Sequence, residues 1–315
     1  MPEARNALRA AVTRDADTPV TAAVRAGADA ATAQGGGVAA VLFYGSGIDA
    51  AEPGDTLLDY YILVDSFTAW YGRRGLKAAL GAMLPPNVHY VRTTAGGREI
   101  HAKAAVMRLD QFRRAAAGRG PTPQIWARFA QPCRLVYARD DTARDHTLTA
   151  LVDAVETFHR AVLPLIDRAA TPATVWKRGL DETYARELRS EPDARIDALL
   201  AARREHLVER TRLAAAATGL GDLAANGTRV RVTVARGQQR MARVAARLAR
   251  PLGKAVAFLR LLKATLTFTD GVSYALWKVE RHTGVRVEAS RFQRRHPLLA
   301  AWPLMWKVYR RGGFR

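Results

Sequence analysis

The sequence predicts an α/β chain: a mixed sheet, then a helical domain, then a basic amphipathic helical module at the C-terminal end. Three observations lead there. Val38–Tyr44 is an unbroken apolar run of strand length that stops at Gly45-Ser46-Gly47. Leu57–Asp65 is a second such run, reached through a connection containing Pro53 and Gly54. The charge is also lopsided. Of a net +20, residues Arg229–Arg315 carry 20 basic and 3 acidic side chains, a local +17, which leaves only +3 for the preceding 228 residues.

Taken in order, residues 1–37 form an N-terminal segment of one or two alanine-rich helices closed by Gly35-Gly36-Gly37. Arg5, Arg9 and Arg14 suit a transit peptide, but Glu3, Asp15, Asp17 and Asp29 argue against one, and no apolar signal core is present, so export is not expected. Residues 38–145 read as the sheet-bearing catalytic domain. A helix is expected over Phe67–Leu84, stopped by Pro85-Pro86. Strands follow at Val88–Val91 and Ile100–Met107 around Gly96-Gly97, then a short helix from Leu109 and a strand at Arg134–Tyr137. Residues 146–226 form a helical domain, with Leu148, Leu151, Val155, Phe158 and Val162 at helical spacing and interruptions at Pro172, Pro192 and Gly219–Gly221. Residues 227–315 are the basic amphipathic module. A hydrophobic content of 49% supports a real core, and the single cysteine, Cys133, excludes an intrachain disulfide and suits a reducing compartment.

The first two strands also fit a dinucleotide fingerprint, since Gly45-Ser46-Gly47-Ile48-Asp49-Ala50 reads G-x-G-x-x-A with Asp65 as the distant acid. That motif must open a crossover helix, and Asp49–Thr56 is too short and too rich in turn residues to hold one. An antiparallel or closely paired second strand fits better. A flexible phosphate-sized turn beside a carboxylate at the head of a strand is instead what nucleotidyl transfer needs: backbone amides for a triphosphate and an acid for its magnesium.

Several short motifs extend this reading. Tyr44-Gly45-Ser46-Gly47, Leu58–Asp65, Trp70-Tyr71, Asn87-Val88-His89-Tyr90, Ile100–Val106, Arg128–Pro132 and Tyr184–Arg189 occur in that order. Together they resemble the mitochondrial-type CDP-diacylglycerol synthases, the phosphatidate cytidylyltransferases of the translocator-assembly-and-maintenance family. The resemblance covers most of residues 38–190 and departs at Tyr71 (His in the family), Val91 (Ser), Gln131 (Lys) and Glu187 (Asp). It implies a nucleotidyltransferase-like sheet, Mg²⁺ as cofactor, and CTP and phosphatidic acid as substrates.

Asp59 is the expected metal ligand, at a position the resemblance matches. The partner acid a two-carboxylate site would carry two residues earlier is Leu57 here, so another acid must complete it. Glu187 is the preferred second ligand, matching the family's Asp, with Glu99 and Asp55 behind it. Asp65 lies six residues up the strand, roughly 20 Å away. Gly45, Ser46 and Gly47 would cradle phosphates. Lys103 lies in an apolar strand, where its charge needs a partner: a triphosphate or phosphatidate would serve, and a lysine snorkelling from a strand end is the alternative. Arg128 and Arg189 would clamp phosphates, unless they are ordinary surface arginines. His89 would orient substrate or act as a satisfied structural residue.

The basic module contains two apolar stretches, Ala255–Phe268 and Pro297–Trp306. The first is interrupted by Arg260 and Lys263, and neither is long enough to span a bilayer. Leucines and tryptophans beside Lys and Arg describe a helix lying at an anionic membrane surface. Nucleic acid would use the same charge but has less need of the apolar area. The resulting expectation is a cytoplasmic enzyme, peripheral on the inner face of the cell membrane, that transfers CMP from CTP to phosphatidic acid. The alternative is a nucleotidyltransferase-fold protein with altered or lost chemistry that binds RNA or anionic membrane through its basic tail.

Overall fold

The computed structural model describes residues 2–49, 57–73, 75–188, 193–223 and 228–267, with 272, 276, 289, 290 and 293. The chain divides into two compact units that alternate along the sequence: Met1–Pro19 with Leu109–Leu259, and Val20–Arg108 with Arg260–Arg315.

In chain order, α1 is Pro2–Ala16 and α2 is Ala22–Thr32, followed by β1 (Val38–Tyr44), a 3-10 turn at Ser46–Asp49 and β2 (Leu58–Val64). Next come α3 (Phe67–Tyr71), α4 (Leu76–Met83), β3 (Asn87–Ala95), β4 (Arg98–Arg108), α5 (Leu109–Ala116), α6 (Gln124–Phe129) and β5 (Cys133–Ala138). The remainder holds α7 (Asp141–Val162), β6 (Ala169–Ala170), α8 (Pro172–Tyr184), α9 (Asp193–Ala202), α10 (Arg204–Thr218), β7 (Gly221–Leu223), β8 (Val230–Val232) and α11 (Arg236–Thr267). The expected α/β architecture with a mixed sheet is present.

The unit beginning at Val20 is built on four strands in the order β3-β4-β2-β1. β2 pairs antiparallel with β1 and parallel with β4, and β3–β4 is an antiparallel hairpin turned at Gly96-Gly97. The short polar connection after β1 thus returns the chain antiparallel, and a 3-10 turn follows the glycines where a dinucleotide site would need a helix. Helix α2 covers one sheet face. The Tyr60 hydroxyl donates to the Val24 carbonyl at 2.7 Å, and Gly27 leaves the room, since a Cβ there would lie 2.7 Å from that hydroxyl. The helix expected over Phe67–Leu84 is two helices. Gly72, at φ 69°, ends α3 in the left-handed conformation that glycine tolerates.

In the other unit α7 is central. Asp140 caps it, its carboxylate accepting from the Ala143 amide at 2.7 Å. Phe158 stacks on Trp176 of α8 at 4.4 Å, and Gly179 makes this approach possible, because a Cβ there would sit 2.2 Å from the Phe158 ring. Helix α1 packs with α7 and α10: Arg5 bridges Asp153 and buried Glu156, and fully buried Arg210 reaches Asp15 at 2.6 Å. A small antiparallel sheet, β6-β8-β7, takes β6 and β7 from the stretch expected as a helical domain (146–226) and β8 from the stretch expected as the basic module. Strands of two or three residues are too short to show a period in sequence. Among the described residues no helix is long and apolar enough to cross a membrane.

Candidate functional site

The sheet register assembles the candidate site. Tyr44 lies opposite Asp59 on β1–β2, Asp59 opposite Lys103 on β2–β4, and Lys103 opposite Tyr90 on β4–β3. Paired residues on neighbouring strands share a face, so Tyr44, Asp59, Lys103 and Tyr90 form one row across the sheet, with backbones about 5 Å apart. Asp59 and Lys103 are both half-buried. Tyr61, two residues on from Asp59, sits on the same face, its ring 5.4 Å from that of Tyr44. At the other end the Tyr90 hydroxyl hydrogen-bonds His101 Nδ1 at 2.6 Å.

The glycine turn adjoins this row. Gly45 has φ 94°, and a Cβ there would come 3.2 Å from Asp59 Oδ2, so the bare backbone of residue 45 lies against the carboxylate. Ser46 is exposed at the start of the 3-10 turn. Gly47 differs in role: it is buried, and a Cβ would press 3.2 Å from Phe43 and 3.5 Å from Leu58. Core packing accounts for its lack of a side chain.

His89 is not brought to Asp59. It pairs with Ala104, one residue out of step with Lys103, and therefore projects from the opposite face. There its Nδ1 lies 3.2 Å from Gln34 Oε1 and its Nε2 3.3 Å from the Tyr71 hydroxyl. Nδ1–H donating to Gln34 leaves Nε2 to accept from Tyr71. Asn87 completes the knot, its Nδ2 donating to Tyr71 at 2.9 Å and to the Lys77 carbonyl at 2.8 Å. Its Oδ1 accepts from Lys263 Nζ at 3.0 Å, and that ammonium also donates to the Leu84 and Pro86 carbonyls. Burial, and then the charge of Lys77, lowers the His89 pKa to about 4, so the ring is neutral at pH 7. Trp70, Tyr71, Asn87 and His89 hold the helix layer to the sheet.

The remaining expected residues lie elsewhere. Arg128 is half-buried in the last turn of α6, and Glu187 is half-buried just past α8, its amide donating to the Tyr184 carbonyl at 3.0 Å. Both belong to the unit that contains α7. Arg189 and Asp55 lie outside the described residues. Glu99 stands on β4 near Arg92 and His101, at 3.7 and 3.9 Å. Among the described residues no group of three His, Cys, Asp or Glu side chains is placed to hold a metal. Asp59 would contribute one carboxylate, which fits magnesium in so far as that ion takes one or two carboxylates and fills its shell with phosphate oxygens and water. Tyr44, Tyr61, Tyr90 and His101 were not singled out as site residues by sequence; strand parity counted from Asp59 and Lys103 would have found Tyr61 and His101, whereas Tyr44 and Tyr90 depend on the cross-strand register.

No protein-family model matches the chain, and no curated protein matches it significantly.

Proposed function

We propose that the chain is a magnesium-dependent nucleotidyltransferase that moves a cytidylyl group from CTP to phosphatidic acid. The observation that carries this reading is the juxtaposition of the bare Gly45 backbone, just past the end of β1, with the Asp59 carboxylate, and of Asp59 with Lys103, its paired residue on β4. An oxygen of the phosphatidate phosphate attacks the α-phosphorus of CTP, the bond to the β-phosphate oxygen breaks, and pyrophosphate leaves with CDP-diacylglycerol formed. Such a reaction asks the protein for positioning and charge neutralisation. The Gly45-Ser46 turn would meet the β and γ phosphates, Asp59 would hold magnesium, which would supply positive charge to the phosphates, and Lys103 would neutralise further charge. The roles expected of Glu187, Arg128 and Arg189 rest on the motif resemblance alone, and none of them enters the site assembled on Asp59.

Helix α11 supports a lipid-facing acceptor. Among the described residues twelve large hydrophobic side chains are exposed, and eight of them lie on α11. Met241, Val244, Leu248, Leu252, Leu259 and Leu262 recur at helical spacing, with Leu248 71% exposed. The helix carries eight Lys or Arg and no acid. An apolar stripe edged by cations suits the headgroup region of an anionic membrane, and supports a peripheral location on the inner face of the cell membrane.

A second reading is favoured by Leu57, which stands where a two-carboxylate site would carry its other acid. It is a nucleotidyltransferase-like protein with altered chemistry that uses the basic tail to bind RNA or membrane. Incubation with radiolabelled CTP, phosphatidate and Mg²⁺ separates the two. Label entering chloroform-extractable lipid, and lost in Asp59→Ala, supports transfer. No incorporation by the wild-type protein refutes it.

A further inference from the structure

We propose that Arg178, Arg186 and Arg250 form a binding site for a phosphomonoester dianion. The three arginines gather around one buried carboxylate in the unit that contains α7. Glu182 on α8 is 4% exposed, and its Oε1 accepts from Arg178 Nη2 at 2.9 Å and from Arg250 Nη2 at 3.0 Å. Arg178 lies one helical turn earlier on α8, Arg186 follows the end of that helix, and Arg250 comes from α11. Gly253 lets α11 approach: a Cβ there would sit 2.6 Å from the Arg186 carbonyl oxygen and 2.7 Å from its Cβ.

Three guanidiniums surround one buried carboxylate, with the exposed Asp181 carboxylate of α8 also near Arg178, so positive charge remains in excess. Each arginine keeps a solvent-shielded Nε with no hydrogen-bond partner among the described residues. Those inner edges have lost water and gained nothing in return, which is costly for a charged donor. The Arg178 and Arg250 side chains are nevertheless 43% and 42% exposed, so their outer ends can be reached. Half-burial pulls the Arg186 pKa down; the Glu182 charge opposes this, and the Arg250 charge adds to the lowering. An anion on the exposed ends would offset both. Planar guanidiniums pair with phosphate oxygens in forked geometry, and a phosphomonoester near neutral pH carries about −1.5 to −2, of the sign the cluster lacks. Glu182 holds Arg178 and Arg250 through Oε1 alone, and its Oε2 has no hydrogen-bond partner among the described residues, so the carboxylate leaves the inner edges of all three arginines unmet.

The site is argued from the arginines alone. Only the identification of its ligand with the acceptor lipid's phosphate rests on the proposed transfer reaction. The test uses the full chain and isothermal titration calorimetry with glycerol 3-phosphate. Arg186→Gln is the principal variant, Arg178→Gln the second, and Arg247→Gln, an exposed arginine of α11, the charge-matched control. Binding by the wild-type protein, weakened about tenfold or more in Arg186→Gln and Arg178→Gln but unchanged in Arg247→Gln, is expected. An unaltered thermal midpoint for Arg186→Gln shows that the loss is not unfolding. Equal binding by all four proteins, or none by the wild type, overturns the site. Sedimentation with vesicles identifies the source of the dianion. Preference for phosphatidate over phosphatidylserine vesicles of equal total charge assigns it to a lipid headgroup. No preference, with glycerol 3-phosphate binding intact, assigns it to a soluble phosphomonoester. Binding lost in the variants while the wild type transfers no CMP would uphold the site and refute the transfer reaction.

Discussion

Acidification from pH 7 to pH 5 is expected to weaken the unit that holds Asp59, chiefly through His89. The ring is sealed between Gln34 and Tyr71 with Trp70 edge-on at 5.6 Å, and burial lowers its pKa from 6.5 to about 4. A base whose folded pKa is depressed contributes fully above its unfolded value, and the contribution is lost as pH falls from about 6.5 towards 4, because the unfolded chain takes the proton first. At pH 5 a shift from 6.5 to about 4 corresponds to roughly 2 kcal/mol relative to pH 7. His159 in the other unit is fully buried, donates Nδ1–H to the Val155 carbonyl at 2.8 Å, and has a pKa lowered to about 4 by burial, so that unit faces a comparable loss. Urea unfolding of wild type and His89→Gln at both pH values measures the effect. The wild-type decrease should exceed that of the variant by about 2 kcal/mol. An imidazole nitrogen titration by NMR should show the His89 ring still neutral at pH 5.5. Equal pH dependence in the two proteins, or a ring titrating near 6.5, would show that His89 is not held neutral in the fold. Because His89 lies on the face away from Asp59, His89→Gln should keep CTP affinity at pH 7.

Three further outcomes follow from the site and the tail. Asp59→Ala should cut transfer by ~10³ or more with the thermal midpoint retained, checked by label incorporation alongside calorimetry. Gly45→Ala strains a positive-φ position and crowds the carboxylate, so it should cost on the order of 1 kcal/mol in stability and sharply weaken CTP binding. Gly47→Val should instead destabilise the fold against Phe43 and Leu58, and unfolding curves beside nucleotide titrations distinguish the two glycines. Leu248→Glu with Leu252→Glu should leave thermal stability within a few degrees, since both leucines are exposed, yet lower the fraction of protein floating with anionic vesicles at high salt.

Much of the sheet was legible because apolar runs of strand length, Val38–Tyr44 and Leu57–Val64, are bounded by turn residues that leave few alternatives. The brevity of the connection between them identified antiparallel return. The row through Asp59 was less legible. Asp59 and Lys103 meet in a parallel pairing of residues 44 positions apart, and no local pattern encodes that register. Within Val88–Val91 the side chains show no polar and apolar alternation, so nothing local says that Tyr90, and not His89, shares the face of Lys103. The break at Gly72 and the tiny β6-β8-β7 sheet fall below the length at which periodicity speaks. In the arginine cluster the Arg178–Glu182 pair is visible at i, i+4, but Arg250 arrives from 68 residues away.

The alternation along β2 divides labour between neighbouring residues. Tyr60 points inward and fastens α2, while Asp59, one step earlier, faces the other way; His89 and Tyr90 divide in the same manner on β3. Residues that secure the helix layer are therefore separate from those lined up with the glycine turn, although they sit next to one another in the chain. Mutational drift can then rewrite Asp59 and Lys103, the half-buried members of that row, changing or abolishing its chemistry, without loosening the knot on the opposite face, while buried Tyr44, Tyr61 and Tyr90 stay as core. A descendant that had lost its activity would still fold, and motif residues such as Asn87 and His89 would persist in it for mechanical reasons alone.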